Sequence, residues 1–240
     1  MKNSSMKKIF FSAIAIVAVF GSYWAYKHYS KLSLLNSKIQ EAIGKDRGLT
    51  ETILKIETES GTISYQELFD LCDKSVAIRT DLLVELRGLS PELDSDIKDS
   101  LISFINSENE LVRSKSQAYR KIMHLNSDQE YYEELRGKWR NSHYSVADVY
   151  QPTMKKKVID LVENAKDLVS NLDNFYKQYQ LLTVKEKNIS ELMEDNGLEF
   201  NAVFSKHAKS NLDFVEDHRK YAELMLSTYR TDYVFVKSNW

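Results

Sequence analysis

Residues that force a chain to turn are scarce, because the sequence has only two prolines and seven glycines among its 240 residues. Since glycine and proline are the strongest helix breakers, their scarcity favours long, uninterrupted helices. Hydrophobic residues make up 42% of the chain and charged residues 28%, which is typical of a globular protein and not of a disordered one. The composition therefore predicts an all-α protein.

Cysteine is nearly absent. Cys72 is the only one in the chain, so an intrachain disulfide and a zinc site built from several thiolates are both excluded. Cys72 stands four residues after Leu68 and four before Val76, on an apolar helical stripe where a buried thiol is ordinary. We therefore expect a core residue and not a nucleophile.

Motifs that bind metals or phosphates are also missing. None of the five histidines follows a glutamate at the spacing that a di-iron bundle requires, and no His-Glu-x-x-His occurs. No two glycines stand closer than Gly44 and Gly48, so the chain has no glycine-rich phosphate loop. The net charge of −2 gives no electrostatic reason to bind nucleic acid. We expect no catalytic, cofactor-binding or metal-binding residue, and no enzymatic activity.

One long hydrophobic run is present at residues 9–26, where eighteen residues pass without a charge. About twenty helical residues are needed to span the hydrocarbon core of a bilayer, with a range of roughly 17–25. A cleaved signal peptide is the alternative, but Ala25 has Tyr23 two residues before it, which makes a poor cleavage site. Aromatic residues that end the run are typical of a membrane interface. The run therefore predicts an uncleaved signal-anchor, a single transmembrane helix.

Lysines on both sides of this run bear on its orientation. Three precede it and favour a cytoplasmic N-terminus, which places the large domain outside the cytoplasm. Four more lysines follow it, so the opposite topology, with a cytoplasmic domain, stays open. The lysines are Lys2, Lys7 and Lys8 before the run and Lys27, Lys31, Lys38 and Lys45 after it.

The predicted organisation has four parts: a short cytoplasmic tail at 1–8, the anchor at 9–26, a helical stalk and break at 27–48, and a bundle at 49–240. The break is predicted at residues 45–47, between two glycines. The bundle is expected to be elongated and antiparallel, with coiled-coil-like segments. Apolar residues in 158–182 keep a seven-residue repeat for about three and a half heptads, the pattern of knobs-into-holes packing.

Local signals predict where the helices of the bundle begin and end. Ser64 and Glu67 form a capping box at one start, and Gly88 is expected to end that helix. Further starts are predicted at Ser90-Pro91 and Pro152, and breaks at Asn126-Ser127-Asp128, Gly137 and Asn196-Gly197. A last helix is expected over 198–226. Glu108 and Lys115 fall near the apolar stripe of the helix that is predicted to start at Ser90-Pro91, and they weaken this stripe.

Two segments are candidate interaction sites. Lys155, Lys156 and Lys157 follow Pro152, where cations in a first helical turn would oppose the helix dipole. An anionic partner or lipid headgroup would offset that cost, and three solvated lysines are the alternative. The second segment is the apolar C-terminal tail with Tyr233, Phe235 and Trp240, which either binds a partner or packs back onto the bundle.

These features favour a protein that acts by binding. We expect the anchor to hold the chain in the bilayer, and the helices to contact a protein partner or a second copy. The function expected is that of a scaffold, assembly or accessory subunit of a cell-envelope complex. The alternative is an extracytoplasmic bundle that senses a ligand and signals through a transmembrane partner.

Overall fold

The computed structural model describes residues 36–53, 55, 64–89, 95–141, 144–206 and 208–238. These ranges form five helices and contain no strand: α1 at 36–53, α2 at Tyr65–Arg87, α3 at Ser95–Asn141, α4 at Tyr144–Asp195 and α5 at Ala208–Ser238. The predicted all-α class and helical bundle are confirmed. The predicted anchor at 9–26 and the tail at 1–8 lie outside the described residues. Within the ranges described, no helix combines the length and the apolar character needed to cross a bilayer.

Neighbouring helices run antiparallel, as the contacts between them show. Arg120 on α3 donates to Asp73 on α2 at 2.7 Å, whereas Arg79, further along α2, lies 3.9 Å from Glu108, which comes earlier in α3. The same order holds between α3 and α4 and between α4 and α5. The contacts there are Lys121–Asp167 at 2.9 Å, Ser107–Lys185 at 2.7 Å, Tyr233–Glu163 at 2.6 Å and Arg219–Asp173.

The apolar stripe of α4 supplies the centre of the core. Its repeat at 158–182 was predicted to face other helices, and its members Leu161, Ala165, Leu168, Leu172 and Phe175 are fully buried. Helix α3 lies against both α2 and α4, and α5 packs on α4. Helix α1 packs against the bundle near Arg79 of α2 and Glu108 of α3.

Three predicted helix ends are confirmed: the start of α2, the end of α2 and the end of α4. At the start of α2, Ser64 accepts from the backbone N–H of Glu67 at 3.3 Å, and the Glu67 carboxylate accepts from the Ser64 N–H at 2.9 Å. Gly88 is the C-cap of the same helix. At the end of α4, Gly197 has φ +67°, a left-handed conformation that glycine adopts without steric cost.

Three predicted breaks are wrong, because packing outweighs local propensity. Helix α1 continues through the predicted break at 45–47, since Asp46 between the two glycines is buried against α2. Helix α3 continues through 126–128 because these polar residues contact other helices: Asn126 accepts from Tyr221 at 2.5 Å, and Asp128 accepts from Lys157 at 2.5 Å. It also passes Gly137 and ends only at Asn141.

The predicted start at Pro152 is also wrong, and the last helix, predicted over 198–226, is present but begins later and runs further than predicted. Helix α4 begins at Tyr144 and carries Pro152 inside it at an exposed position, so the helix continues although proline removes one backbone hydrogen bond. Residues 198–206 form a non-helical loop, and α5 begins at Ala208. This loop (the 198–206 loop) is held by a carboxylate of α4.

Candidate functional site

A cluster of charged side chains lies inside the bundle, where α1 meets α2, α3 and α4. Its centre is Arg79 of α2, whose side chain is 0% exposed. The Arg79 guanidinium donates from Nε to Asp46 Oδ1 at 2.6 Å, from Nη1 to Ser75 Oγ at 2.8 Å, and from Nη2 to Thr50 Oγ1. Because Asp46 and Thr50 belong to α1, one buried cation ties that helix to the bundle.

Glu108 is the second carboxylate of this ion cluster and is 2% exposed. Its Oε1 is 3.4 Å from the Thr50 hydroxyl, and its Oε2 is 3.9 Å from Arg79 Nε. No donor among the described residues forms a hydrogen bond to Oε2. Burial and the adjacent Asp46 carboxylate raise the pKa of Glu108 well above its ordinary value, and the Arg79 charge opposes this only in part.

Glu186 of α4 is the third buried carboxylate, and it is 1% exposed. Its Oε1 accepts from the backbone N–H groups of Val203 and Phe204 at 2.6 and 2.8 Å. Its Oε2 accepts from the Ser205 N–H at 2.8 Å and from the Ser205 hydroxyl. Successive N–H groups that converge on one carboxylate form an anion nest. Glu186 therefore fixes the 198–206 loop against α4.

A small cavity lies beside these three carboxylates. It has a volume of ≈ 10 Å³, about the space that one water molecule needs. Glu108, Asp46 and Glu186 border it, together with apolar side chains that include Phe104 and Phe200. The cavity is thus too small for an organic substrate. In the described ranges, no three histidine, cysteine, aspartate or glutamate side chains are arranged to hold a metal ion.

A second polar group is buried among aromatic rings further along the bundle. Lys115 is 4% exposed, with its Nζ 4.8 Å from the Phe214 ring centroid and 3.4 Å from Asn211 Oδ1. His218 packs against the same Phe214 ring, with centroids 4.6 Å apart, and lies 3.4 Å from the Tyr65 hydroxyl. Cation–π contacts of this kind stabilise a buried ammonium group. These contacts link α2, α3 and α5.

The three predicted lysines do not lie in a first turn, because α4 begins eleven residues before Lys155. The helix-dipole argument for them is therefore wrong. Lys157 is engaged within the bundle, where its Nζ donates to Asp128 and lies 5.6 Å from the Tyr131 ring centroid. Lys156 is exposed and Lys155 is partly buried. Whether they contact a partner stays a prediction.

The predicted C-terminal site is helical as far as Ser238. The Tyr233 hydroxyl donates to Glu163 Oε1 at 2.6 Å, and Lys166 Nζ is 4.8 Å from the Tyr233 ring centroid. Tyr233 thus packs back onto α4. Phe235 belongs to the helix, but its side chain lies outside the described part, as does all of Trp240.

Sequence reasoning missed the ion cluster, although a signal for it exists. Arg79 falls seven residues after Cys72 and seven before Leu86, so a charge occupies a core position of the α2 stripe. Glu186 likewise stands between the buried Leu182 and Ile189 of α4. In the sequence such a residue, Glu108, is interpreted as weakening its stripe, whereas it belongs to the buried ion cluster.

Comparison with known proteins gives no relative: no family model, no curated protein and no solved structure matches the chain.

Proposed function

We propose that the chain is a single-pass membrane protein whose helical bundle binds another protein, as a scaffold, assembly or accessory subunit of a cell-envelope complex. The apolar run at 9–26 supports the membrane part, since its length suits one membrane crossing. In this proposal the N-terminus is cytoplasmic and the bundle is extracytoplasmic. Helix α1 then joins the anchor to the bundle through residues 27–35.

The surface of α4 supports the binding part. Leu181 and Val184 lie three residues apart and are 56% and 58% exposed. Leu181 also borders an open groove between α3 and α4, together with Ile102 and Lys185. Isolated exposed apolar residues are normal, but two on one helical face beside a groove offer a continuous strip for a partner helix. This strip is the observation on which the proposal rests. A second copy of the chain, instead of a different protein, is the alternative that could bind there.

The test is co-purification of the full chain in mild detergent, followed by light scattering and identification of any bound protein. The variant Leu181→Glu with Val184→Glu is expected to release the partner. Leu224→Glu is the matched control, because Leu224 is also 58% exposed but lies on α5. A monodisperse monomer without partner would contradict the proposal. A complex that contains only copies of the chain would replace the partner by a homo-oligomer.

The second candidate function is an extracytoplasmic sensor that signals through a transmembrane partner. The contact between α1 and the bundle favours the sensor, because a single buried ion cluster fixes this helix, which follows the proposed anchor in the chain. A ligand that alters this cluster would shift α1 and so the membrane segment. A thermal-shift screen of small ligands on the full chain tests it. A ligand that raises the melting temperature supports the sensor, and a screen without one counts against it.

A further inference from the structure

The buried charges where α1 meets the bundle do not balance. Three carboxylates, those of Asp46, Glu108 and Glu186, border one cavity, and Arg79 is the buried cation beside them. Glu186 is satisfied as an anion by four hydrogen bonds from the 198–206 loop. Asp46 is satisfied by Arg79 at 2.6 Å. Glu108 is therefore the carboxyl group whose negative charge is least compensated.

The hydrogen bonds at Glu108 lead to the same conclusion. The Thr50 hydroxyl has one hydrogen to donate and two acceptors within reach, the Asp46 carbonyl at 3.3 Å and Glu108 Oε1 at 3.4 Å. Glu108 Oε2 has no hydrogen-bond donor among the described residues, and Glu108 is one of the residues that line the cavity. An ionised carboxylate in this position would be poorly solvated, whereas a protonated one is neutral and can donate a hydrogen bond.

Polar and charged groups from several elements surround Glu108 and influence its proton binding. On α1, Arg47 borders the cavity, but it is 44% exposed and pairs with Glu51 at 3.5 Å. Cys72 of α2 lies close enough to Arg79 to interact with its charge. The polar and charged groups around the site are Asp46, Arg47 and Thr50 on α1, Cys72, Ser75 and Arg79 on α2, Glu186 on α4, and Asn201 in the loop.

We infer that Glu108 binds a proton and that this proton fastens α1 to the bundle. When the proton leaves, two buried negative charges face each other, one at Glu108 on α3 and one at Asp46 on α1, and a single guanidinium lies beside them. Their repulsion loosens α1, which carries Asp46 and can move away without breaking the α3–α4 core. The inference concerns α1 alone and does not depend on the proposed partner or on the membrane anchor.

The direction of the pH effect follows from linkage. The pKa of Glu108 in the fold is raised above its unfolded value, so in the interval between the two the folded state holds a proton that the unfolded state has lost. The contribution of Glu108 to the docking of α1 is therefore complete below the unfolded pKa, near 4.3, and is lost as the pH rises from there through the folded pKa. A single proton changes the docking equilibrium by up to about tenfold per pH unit.

Hydrogen–deuterium exchange of the α1 amides in the full chain tests the inference, with rates corrected for the intrinsic effect of pH. In the wild type we expect the protection of the α1 amides to fall by up to about tenfold for each unit by which the pH rises between the unfolded and the folded pKa of Glu108. Glu108→Gln keeps the shape of the side chain but cannot lose a proton. In this variant we expect the α1 amides to stay protected and their protection not to fall as the pH rises. Glu110→Gln is the matched control, because Glu110 is exposed on the same helix and pairs with Arg113 at 2.7 Å. It should behave as wild type.

The inference would be overturned if the protection of the α1 amides depended on pH in the same way in Glu108→Gln and in the wild type. If the variant does not fold, the infrared spectrum of the wild type alone still tests the inference. At about pH 6, exposed glutamates with pKa values near 4.3 are ionised. The infrared spectrum of the wild type should still contain the carbonyl band of a protonated carboxylic acid. Its absence at that pH would contradict a proton on Glu108.

Discussion

Arg79 and Asp46 form a buried ion pair in which Nε and Oδ1 lie 2.6 Å apart, although the two residues are 33 positions apart in the chain. The pair joins α2 to α1, and both side chains are almost completely shielded from water. A buried ion pair adds little to stability by itself, but either partner left alone is costly. The pair therefore acts mainly to fix the position of α1 along the bundle.

Removal of the Arg79 charge should destabilise the fold severely. In Arg79→Met, the Asp46 carboxylate remains buried without its cation, so we expect a loss of about 3–5 kcal/mol in the free energy of unfolding. Urea unfolding followed by circular dichroism measures it. The control is Arg120→Met, since Arg120 is 52% exposed and pairs with Asp73 at 2.7 Å. That change should cost less than about 1 kcal/mol. Equal losses in the two variants would contradict a special role for Arg79.

The 198–206 loop should depend on one carboxylate. In Glu186→Ala the backbone N–H groups of residues 203–205 lose their acceptor, and each unsatisfied buried group costs about 1–3 kcal/mol. We expect faster amide exchange at these three residues than in the wild type. Glu191→Ala is the matched control, because Glu191 is exposed on the same helix and pairs with Lys187 at 3.7 Å. Unchanged exchange in Glu186→Ala would show that other contacts hold the loop.

Tyr229 should contribute to the stability of the fold in alkali. Burial and the hydrogen bond to Glu133 raise the pKa of Tyr229 to about 12, against about 10 in the unfolded chain. Since the folded pKa is the higher one, the contribution is complete below pH 10 and is lost as the pH rises towards 12. We expect the unfolding constant of the wild type to rise more steeply over this interval than that of Tyr229→Phe.

A matched control for this pH effect is Tyr131→Phe, since Tyr131 is 42% exposed. It should keep the wild-type slope of stability against pH. Denaturant unfolding at a series of alkaline pH values gives the slopes. Identical slopes for Tyr229→Phe and the wild type would show that Tyr229 does not titrate with the fold.

The sequence predicts helices well where local signals and packing agree. The capping box at Ser64 and the heptads of 158–182 are both present, because the same residues satisfy the local backbone and the core. The predictions failed where the two conflict. Asp46 stands between two glycines and looks like part of a turn, but its ion pair with Arg79 keeps α1 helical. The sequence around Asp46 gives no indication of this distant partner.

The ion cluster was only partly within reach of sequence reasoning. Glu108 stands out because it interrupts an apolar stripe, and Arg79 does the same on α2. That both meet one aspartate of α1 depends on the register of three helices, which their periodicity does not determine. Glu186 could not be connected to the 198–206 loop, because that loop was expected to be helical.

Membrane attachment is the central claim of the proposed function, and alkaline carbonate extraction of membranes from cells that express the full chain tests it most directly. We expect the intact chain to stay in the membrane pellet. A Val17→Arg variant should shift towards the soluble fraction, because arginine at the centre of a membrane helix costs about 2.5–3.5 kcal/mol. Intact wild-type chain in the soluble fraction would contradict the account.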